Sequence, residues 1–310
     1  MPVPVPRATA PTRQAGDAGP YTVPMNYRHA FHAGNHADVL KHVAVLALID
    51  ALARKDTPFF VLDTHAGRGR YLLAGEEGRR TAEAEGGVLR LMGETGLPAV
   101  IERYLHAVQA DNPVGSLLTY PGSPLLVAQA MRAQDRLAAC ELQPEEAAAL
   151  KTLFAHDRRV QVQAGDGYAA LRALLPPRPG GTRIGRGIVL IDPPYEAQDA
   201  EYPRILDALR ETLQRWPQAI CAVWSPVKQR RSLLPFFRKA AALPASSALV
   251  AELLVRPDDS PLRLNGSGML ILNPPWQFEQ ALAPALPALR RALGEAGAST
   301  RLEWLKREEA

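Results

Sequence analysis

Residues 59–70 read Phe59-Phe60-Val61-Leu62-Asp63-Thr64-His65-Ala66-Gly67-Arg68-Gly69-Arg70. Four apolar residues run without alternation into an acid, and glycines then recur at alternate positions. An unbroken apolar run suits a strand buried on both faces, the condition of a parallel sheet. The acid marks the strand's carboxyl end, and the small residues after it let a ligand approach the backbone closely. This stretch predicts the first strand and ligand loop of an α/β fold. A dinucleotide fingerprint needs a third glycine, G-x-G-x-x-G, so that a pyrophosphate can rest on a helix N-terminus. Leu72 stands at that place. The D-x-x-x-G-x-G form suits S-adenosylmethionine instead, whose methionine end carries both an ammonium and a carboxylate.

Six further strands are predicted outward from this one: Leu137–Cys140, Val160–Gln163, Gly187–Ile191, Ala219–Trp224, Ala248–Val255 and Gly268–Leu272. Helical stretches separate the early ones, at Pro124–Gln134, Pro144–Phe154 and Gly167–Leu174. Strands alternating with helices indicate a doubly wound, Rossmann-like sheet, here with seven strands. Another helix is predicted to start at Asn35, which can cap it, and to run to Lys55. More than 70 residues separate the first two strands, too many for one crossover. A small inserted helical subdomain over about residues 76–116 accounts for them, broken at Gly86–Gly87 and Gly93–Glu94. The second strand ends in Glu141, placed to accept hydrogen bonds from ribose hydroxyls. The third ends in Gly165-Asp166-Gly167, where Asp166 can accept from a base amino group. Singly, Glu141 also reads as a charge at a helix start and Asp166 as a turn residue or cap. Acids at the carboxyl ends of three consecutive strands together indicate a cofactor crevice.

The fourth strand, Gly187–Ile191, stops at Asp192-Pro193-Pro194-Tyr195. Proline removes a backbone donor and fixes φ, so the exit from the strand is rigid. D-P-P-Y at this place marks methyltransferases that act on amines of planar rings. An exocyclic amine is a poor nucleophile because its lone pair is delocalised. Asp192 and the Pro193 carbonyl can accept both amine hydrogens and favour a pyramidal nitrogen, while Tyr195 stacks on the base. Positioning and fixed dipoles then carry the rate. A duplex base reaches such a pocket only if flipped or single-stranded. Asn273-Pro274-Pro275-Trp276 also fits the broader pattern, but it follows the seventh strand and is expected to be a structural strand exit.

Apolar residues make up 47% of the 310-residue chain and charged residues 22%, ordinary globular proportions. No apolar run reaches the ~20 residues of a membrane span. Cys140 and Cys221 cannot make a disulfide framework or a four-cysteine metal site, and the cytoplasm is the expected compartment. The net charge of +4 is mild. Only six of the 36 basic residues are lysine, and arginine suits bidentate phosphate contacts. Genomic base composition accounts for the same bias. Residues 1–24 are rich in proline and alanine without a period and are expected to be a disordered extension. A translation start at Met25 is the equal alternative to a genuine tail, and residues 25–310 are expected to form the methyltransferase-type domain. The segment 26–42 holds His29, His32 and His36, but their spacing across Gly34 matches no zinc template. No metal is expected. These histidines read either as polar packing at a helix start or as a closure over cofactor and substrate, with Tyr27 offering a stacking face and Arg28 a phosphate contact.

Together and in order, YRHAFHAGNHADVLKH, LDTHAG, YPGSP, CELQP, GDG, LIDPPY and ILNPPW resemble the bacterial RlmJ (YhiR) family of 23S ribosomal RNA adenine-N6 methyltransferases. The resemblance covers the chain from about Met25 to its C-terminal region. It implies a class I methyltransferase fold, S-adenosylmethionine as cofactor and S-adenosylhomocysteine as product. The implied cofactor contacts are Lys41, His42, His65, Gly67, Ser123, Glu141, Asp166 and Gly167. Asp192 with Pro193 and Tyr195 would form the catalytic loop, and Tyr27 and His29 would join Tyr195 against the substrate. The implied partner is 23S RNA, protein-free or in an early assembly intermediate, met by a monomer. Three departures stand out: residues 1–24 outside the pattern, Arg68 where a small residue is expected, and a long basic loop over 176–187. D-P-P-Y does not separate RNA from DNA, so a DNA adenine-N6 methyltransferase is the alternative. A nucleotide-binding oxidoreductase and a non-catalytic RNA-binding protein are readings from other classes. The missing third glycine opposes the first and the intact D-P-P-Y the second.

Overall fold

Asn35 opens the first helix, its side chain accepting from the backbone N–H groups of Ala37 and Asp38, as a capping residue should. In the computed structural model, which describes residues 33–73, 84–195, 198–261 and 264–307, this helix α1 spans His36–Ala53 and is apolar on nearly every side. Such a helix must be buried all round. It lies between the main sheet and the segment inserted after the first strand.

The elements that follow are β1 (Phe60–Asp63), β2 (Arg70–Leu72), α2 (Val88–Met92), α3 (Ala99–Ala110), β3 (Thr119–Pro121), α4 (Ser123–Ala130), β4 (Arg136–Glu141), α5 (Pro144–Leu153), β5 (Val160–Ala164) and α6 (Gly167–Leu174). After them come β6 (Gly187–Ile191), α7 (Gln198–Arg215), β7 (Ile220–Val227), α8 (Arg230–Ala241), β8 (Ala248–Leu254), β9 (Gly266–Leu272), α9 (Phe278–Leu282), α10 (Ala285–Leu293) and β10 (Ser299–Lys306). The main sheet is ordered β10-β8-β9-β7-β6-β1-β4-β5. β5, β4, β1, β6 and β7 run parallel, while β9 is antiparallel to β7 and β8. This is the order of a class I methyltransferase with one strand added at an edge. Helices α6, α7 and α8 pack on one face, and α1, α4, α5, α9 and α10 on the other.

All seven expected strands form, and an eighth, β10, corrects the count. It pairs antiparallel with β8 at the sheet edge. Its sequence, STRLEWLK, carries charges on a half-exposed strand, so it lacks the buried apolar run by which the others are read. The glycine loop also departs from the nucleotide-binding pattern, because it opens a two-stranded ribbon of β2 and β3 rather than a helix. Between those ribbon strands lie α2 and α3. The helix that would normally follow β1 is α4, about sixty residues later. It ends at Ala130, short of Gln134, where Asp135 accepts from the Arg132 backbone and side chain and draws the chain into a turn.

β1 is flanked by β4 on one side and β6 on the other. Chain order reverses there, which opens a crevice at the carboxyl ends of the strands.

Candidate active site

The loop after β1 is shaped by its glycines. Gly67 and Gly69 have φ of +60° and +77°, the left-handed region. A Cβ on Gly67 would lie 2.1 Å from the Tyr71 hydroxyl. The Gly67 N–H donates to Glu141 Oε2 (2.8 Å), and Gln143 N–H donates to Glu141 Oε1 (2.7 Å). Glu141 thus ties the first loop to the end of β4. Burial raises its carboxyl above the ordinary value, and these two backbone donors oppose the rise. Arg68 reaches away from the crevice and forms a forked pair with Glu146 in the first turn of α5 (2.9 and 2.6 Å). That explains a large residue between two loop glycines: it clamps the loop to a neighbouring helix.

Asp166 caps α6 by accepting from Tyr168 N–H (2.9 Å). Gly167 begins that helix against the backbone of Thr64, where a Cβ would stand 1.9 Å from the carbonyl oxygen. Thr64 gives its one hydroxyl proton to the Leu190 carbonyl (2.9 Å) and lies 2.8 Å from His65 Nδ1. The hydroxyl oxygen must therefore accept from Nδ1–H, which leaves Nε2 as an acceptor. Burial first, and Arg204 second, lower the His65 pKa to about 3, so the ring is neutral. Its edge meets Tyr168 at 5.1 Å.

The deepest polar groups are Asp63, Asp38, Lys41 and His42, all buried. Asp63 accepts from Ser123 Oγ (2.6 Å). Burial pushes its carboxyl up to about 6; Ser123 pulls it down and the nearby Asp192 charge pushes it further up. Lys41, expected among the cofactor contacts, directs its ammonium to Asp192 Oδ2 (2.6 Å) and Asp38 Oδ1 (2.8 Å). Burial alone would lower its pKa, but the two carboxylates reverse this and hold the ammonium well above its ordinary value. His42 Nδ1 shares a hydrogen bond with the Tyr120 hydroxyl (2.8 Å), which shares another with Tyr104 (2.9 Å). This chain joins α1 to the inserted segment.

The D-P-P-Y tetrapeptide leaves β6 beside these groups. Pro193 is buried. Tyr195 has φ of +50° and its hydroxyl donates to the Trp224 carbonyl, while its ring meets Trp224 edge-on at 5.6 Å and Tyr202 at 5.8 Å. Burial holds its hydroxyl well above the usual phenol range. Asn273, by contrast, lies at the other end of the sheet. It donates to the carbonyls of Pro217 (3.0 Å) and Ala219 (2.9 Å) and accepts from Ser246 N–H (2.8 Å), as a structural strand exit should.

Lys41, His42, His65, Gly67, Ser123, Glu141, Asp166, Gly167, Asp192, Pro193 and Tyr195 therefore all fall at one end of the sheet. Tyr27 and His29 lie outside the described residues, as does the 1–24 segment. Sequence reading passed over Asp38 and Tyr120. Asp38 had a signal, the i,i+3 spacing to Lys41 on one helix. Tyr120 opens the YPGSP motif, but nothing local pairs it with His42, 78 residues away. Among the described residues no group of three His, Cys, Asp or Glu is placed to hold a metal ion, and no helix is long and apolar enough to cross a membrane.

A family model described as "Ribosomal RNA large subunit methyltransferase D, RlmJ" matches residues 56–306. The chain belongs to the RlmJ family. Two curated relatives named "Ribosomal RNA large subunit methyltransferase J" agree with that membership. The Escherichia coli protein is 41% identical over 273 residues, which is 88% of this chain and 95% of that one. The Haemophilus influenzae protein is 39% identical over 286 residues, 92% of this chain and 100% of that one. A solved Legionella pneumophila structure superposes with a TM-score of 0.79 at 33% identity, covering 88% of this chain and 98% of that chain. The RlmJ match extends through β10, so the strand that sequence reading passed over lies within the family's matched region.

Proposed function

We propose that this chain transfers the methyl group of S-adenosylmethionine to the exocyclic N6 of one specific adenine in 23S ribosomal RNA. The observation that carries the reading is the Asp192 carboxylate, held by Lys41 at 2.6 Å at the same end of the parallel sheet as the strand ends that bear Glu141 and Asp166. The residues present fit the cofactor. Each Glu141 oxygen accepts one backbone N–H and has a further lone-pair position for a ribose hydroxyl. A side chain at Gly165 would meet nothing within 4 Å, so the crevice is open on that side. His65, neutral with Nε2 as acceptor, suits an uncharged donor.

When bound, the cofactor supplies an electrophilic methyl on a sulfonium. This chain's residues prepare the acceptor. Asp192 and the Pro193 carbonyl accept the two amine hydrogens, which localises the lone pair toward the methyl. Lys41 keeps the Asp192 carboxylate fixed before the base arrives, so little reorganisation is needed. Tyr195, tethered through its hydroxyl to Trp224, presents a ring of fixed orientation against which the base stacks. The reading requires no second subunit, and the cytoplasm is the compartment where protein-free or partly assembled RNA would be met.

The test is transfer of labelled methyl to 23S RNA from a strain lacking its own family enzyme, with duplex DNA as a parallel substrate, followed by nucleoside identification. N6-methyladenosine in RNA is expected, lost by at least ~10³-fold in Asp192→Ala, while calorimetry detects S-adenosylmethionine binding within a few-fold of the parent. Full activity in that variant would refute the role given to Asp192.

A further inference from the structure

β7 outruns its neighbour. Ile191, the last residue of β6, pairs with Val223, yet β7 continues through Trp224–Val227. At about 3.3 Å per residue, those four residues raise the β7–α8 turn roughly 13 Å beyond the exit of the catalytic loop, on the same side of the sheet. The catalytic loop and the start of α7 lean on this extension, through Tyr195 to the Trp224 carbonyl and through Gln198 Nε2 to the Pro226 carbonyl (3.4 Å).

The turn, Lys228-Gln229 leading into Arg230 and Arg231, is gripped from beneath by buried polar groups. Asn265, fully buried, donates from Nδ2 to the Lys228 carbonyl (2.7 Å) and from its backbone N–H to the Val227 carbonyl (3.0 Å). Asp258 accepts the Arg230 N–H (2.7 Å). Glu252, also fully buried, takes the Arg230 guanidinium (2.8 Å), with Arg301 of β10 on its other oxygen at 3.7 Å. Burying a carboxylate and an amide costs desolvation energy. What this arrangement secures is a fixed position for a surface turn. Arg230 is turned inward as the anchor, while Lys228 and Arg231 are exposed. Arg231 Nε is held by Gln229 Oε1 at 3.0 Å. Neither exposed cation has a carboxylate partner among the described residues, unlike Arg68, Arg70, Arg159 and Arg210.

We propose that the β7–α8 turn is a phosphate clamp, in which Lys228 and Arg231 take backbone phosphates of the nucleotides flanking the adenine delivered to Asp192. The proposal rests on the RNA reading above and extends it to a second contact surface. A base withdrawn from its stack leaves its backbone at the crevice mouth, and rigidly held cations there would fix register without reading sequence. Arg231 offers a planar fork to phosphate oxygens and Lys228 a point charge.

The experiment measures binding of a 23S RNA transcript by filter retention across a salt series, for the parent, a Lys228→Ala/Arg231→Ala variant, and a Lys151→Ala/Arg158→Ala control. The control removes two exposed cations at the opposite end of the sheet. S-adenosylhomocysteine affinity serves as the check on folding. Loss of two phosphate contacts is expected to lower the slope of log K against log salt by about 1.5, to weaken binding at least ten-fold at low salt, and to leave the control near the parent. An unchanged slope, or an equal loss in the control, would overturn the clamp. RNA that the parent binds but never methylates would refute the functional reading while the clamp is still decided by the binding data. RNA that the parent methylates, with an unchanged variant slope, would refute the clamp alone.

Discussion

Lys41 holds one positive charge between the carboxylates of Asp38 and Asp192, at 2.8 and 2.6 Å and nearly out of water. Removing the ammonium would leave two like charges facing each other without a counter-ion. Lys41→Met is therefore expected to destabilise the fold by roughly 3–5 kcal/mol, the cost of breaking a buried pair, read as a shifted urea midpoint. Asp63 has the opposite character, because burial penalises its charged form. Its ordinary pKa is 3.8 and its folded value is about 6. Between those values the folded state keeps a proton that the unfolded state has released. Stability thus falls as pH rises through that window. Asp63→Asn can still accept from Ser123 but cannot ionise. Relative to the parent it should gain on the order of 3 kcal/mol between pH 4 and pH 7, seen as a converging or crossing pair of melting temperatures. Parallel melting curves at both pH values would contradict this. At this scale the sequence was informative where an acid ended a strand, as at Asp63, Glu141, Asp166 and Asp192. It was silent on which of them would lose water.

At the scale of elements, α1 shows what can be read locally and what cannot. Its N-terminus was legible from Asn35, and Asn35→Ala should cost ~1 kcal/mol in chemical denaturation. Its last turn has no basic residue, and the side chain of Arg54 at the C-cap turns to Gln277 (3.2 Å) rather than to the final carbonyls. Arg186 reaches the Leu52 carbonyl (3.1 Å) and the Thr57 carbonyl, and Arg132 the carbonyls of Ala53 (3.4 Å) and Lys55 (2.8 Å). These residues lie 77 to 134 positions away from the carbonyls they reach, so no local pattern announces them. Arg186→Ala is expected to cost about 1.5–3 kcal/mol, more than loss of the N-cap, and the ratio of the two urea-midpoint shifts checks that ranking.

For the whole molecule, β10 is the element on which two properties meet. It covers the edge of β8 and brings Arg301 to the buried Glu252. Deleting residues 298–310 would expose a seven-residue, fully buried strand, ALVAELL, as an unpaired edge. Such edges recruit other chains. The truncated protein should melt several degrees lower and elute from a sizing column as concentration-dependent oligomers, whereas the full chain should not change its elution with concentration. Occupancy of the crevice should act the other way: S-adenosylhomocysteine at 100 times its dissociation constant adds ~2.7 kcal/mol, a rise of several degrees in Tm.

Lys41, His42 and Ser123 entered only through the family resemblance, whereas the order of buried apolar runs, the acids and glycines that punctuate them, and the D-P-P-Y exit together determined the doubly wound sheet and the placing of Glu141, Asp166 and Asp192 at its crevice. Those are local signals, set by which side chains must leave water and which backbone positions need glycine. Tertiary structure alone decided which charges pair. Lys41 meets Asp192 across 151 residues and His42 meets Tyr120 across 78, and Arg68 is tied to Glu146 rather than turned toward the crevice. It also decided that β10 joins the sheet, because strand direction and neighbour order are properties of the assembled sheet. A pairing between distant side chains depends on the relative placement of whole elements, and no periodicity within any one of them encodes it.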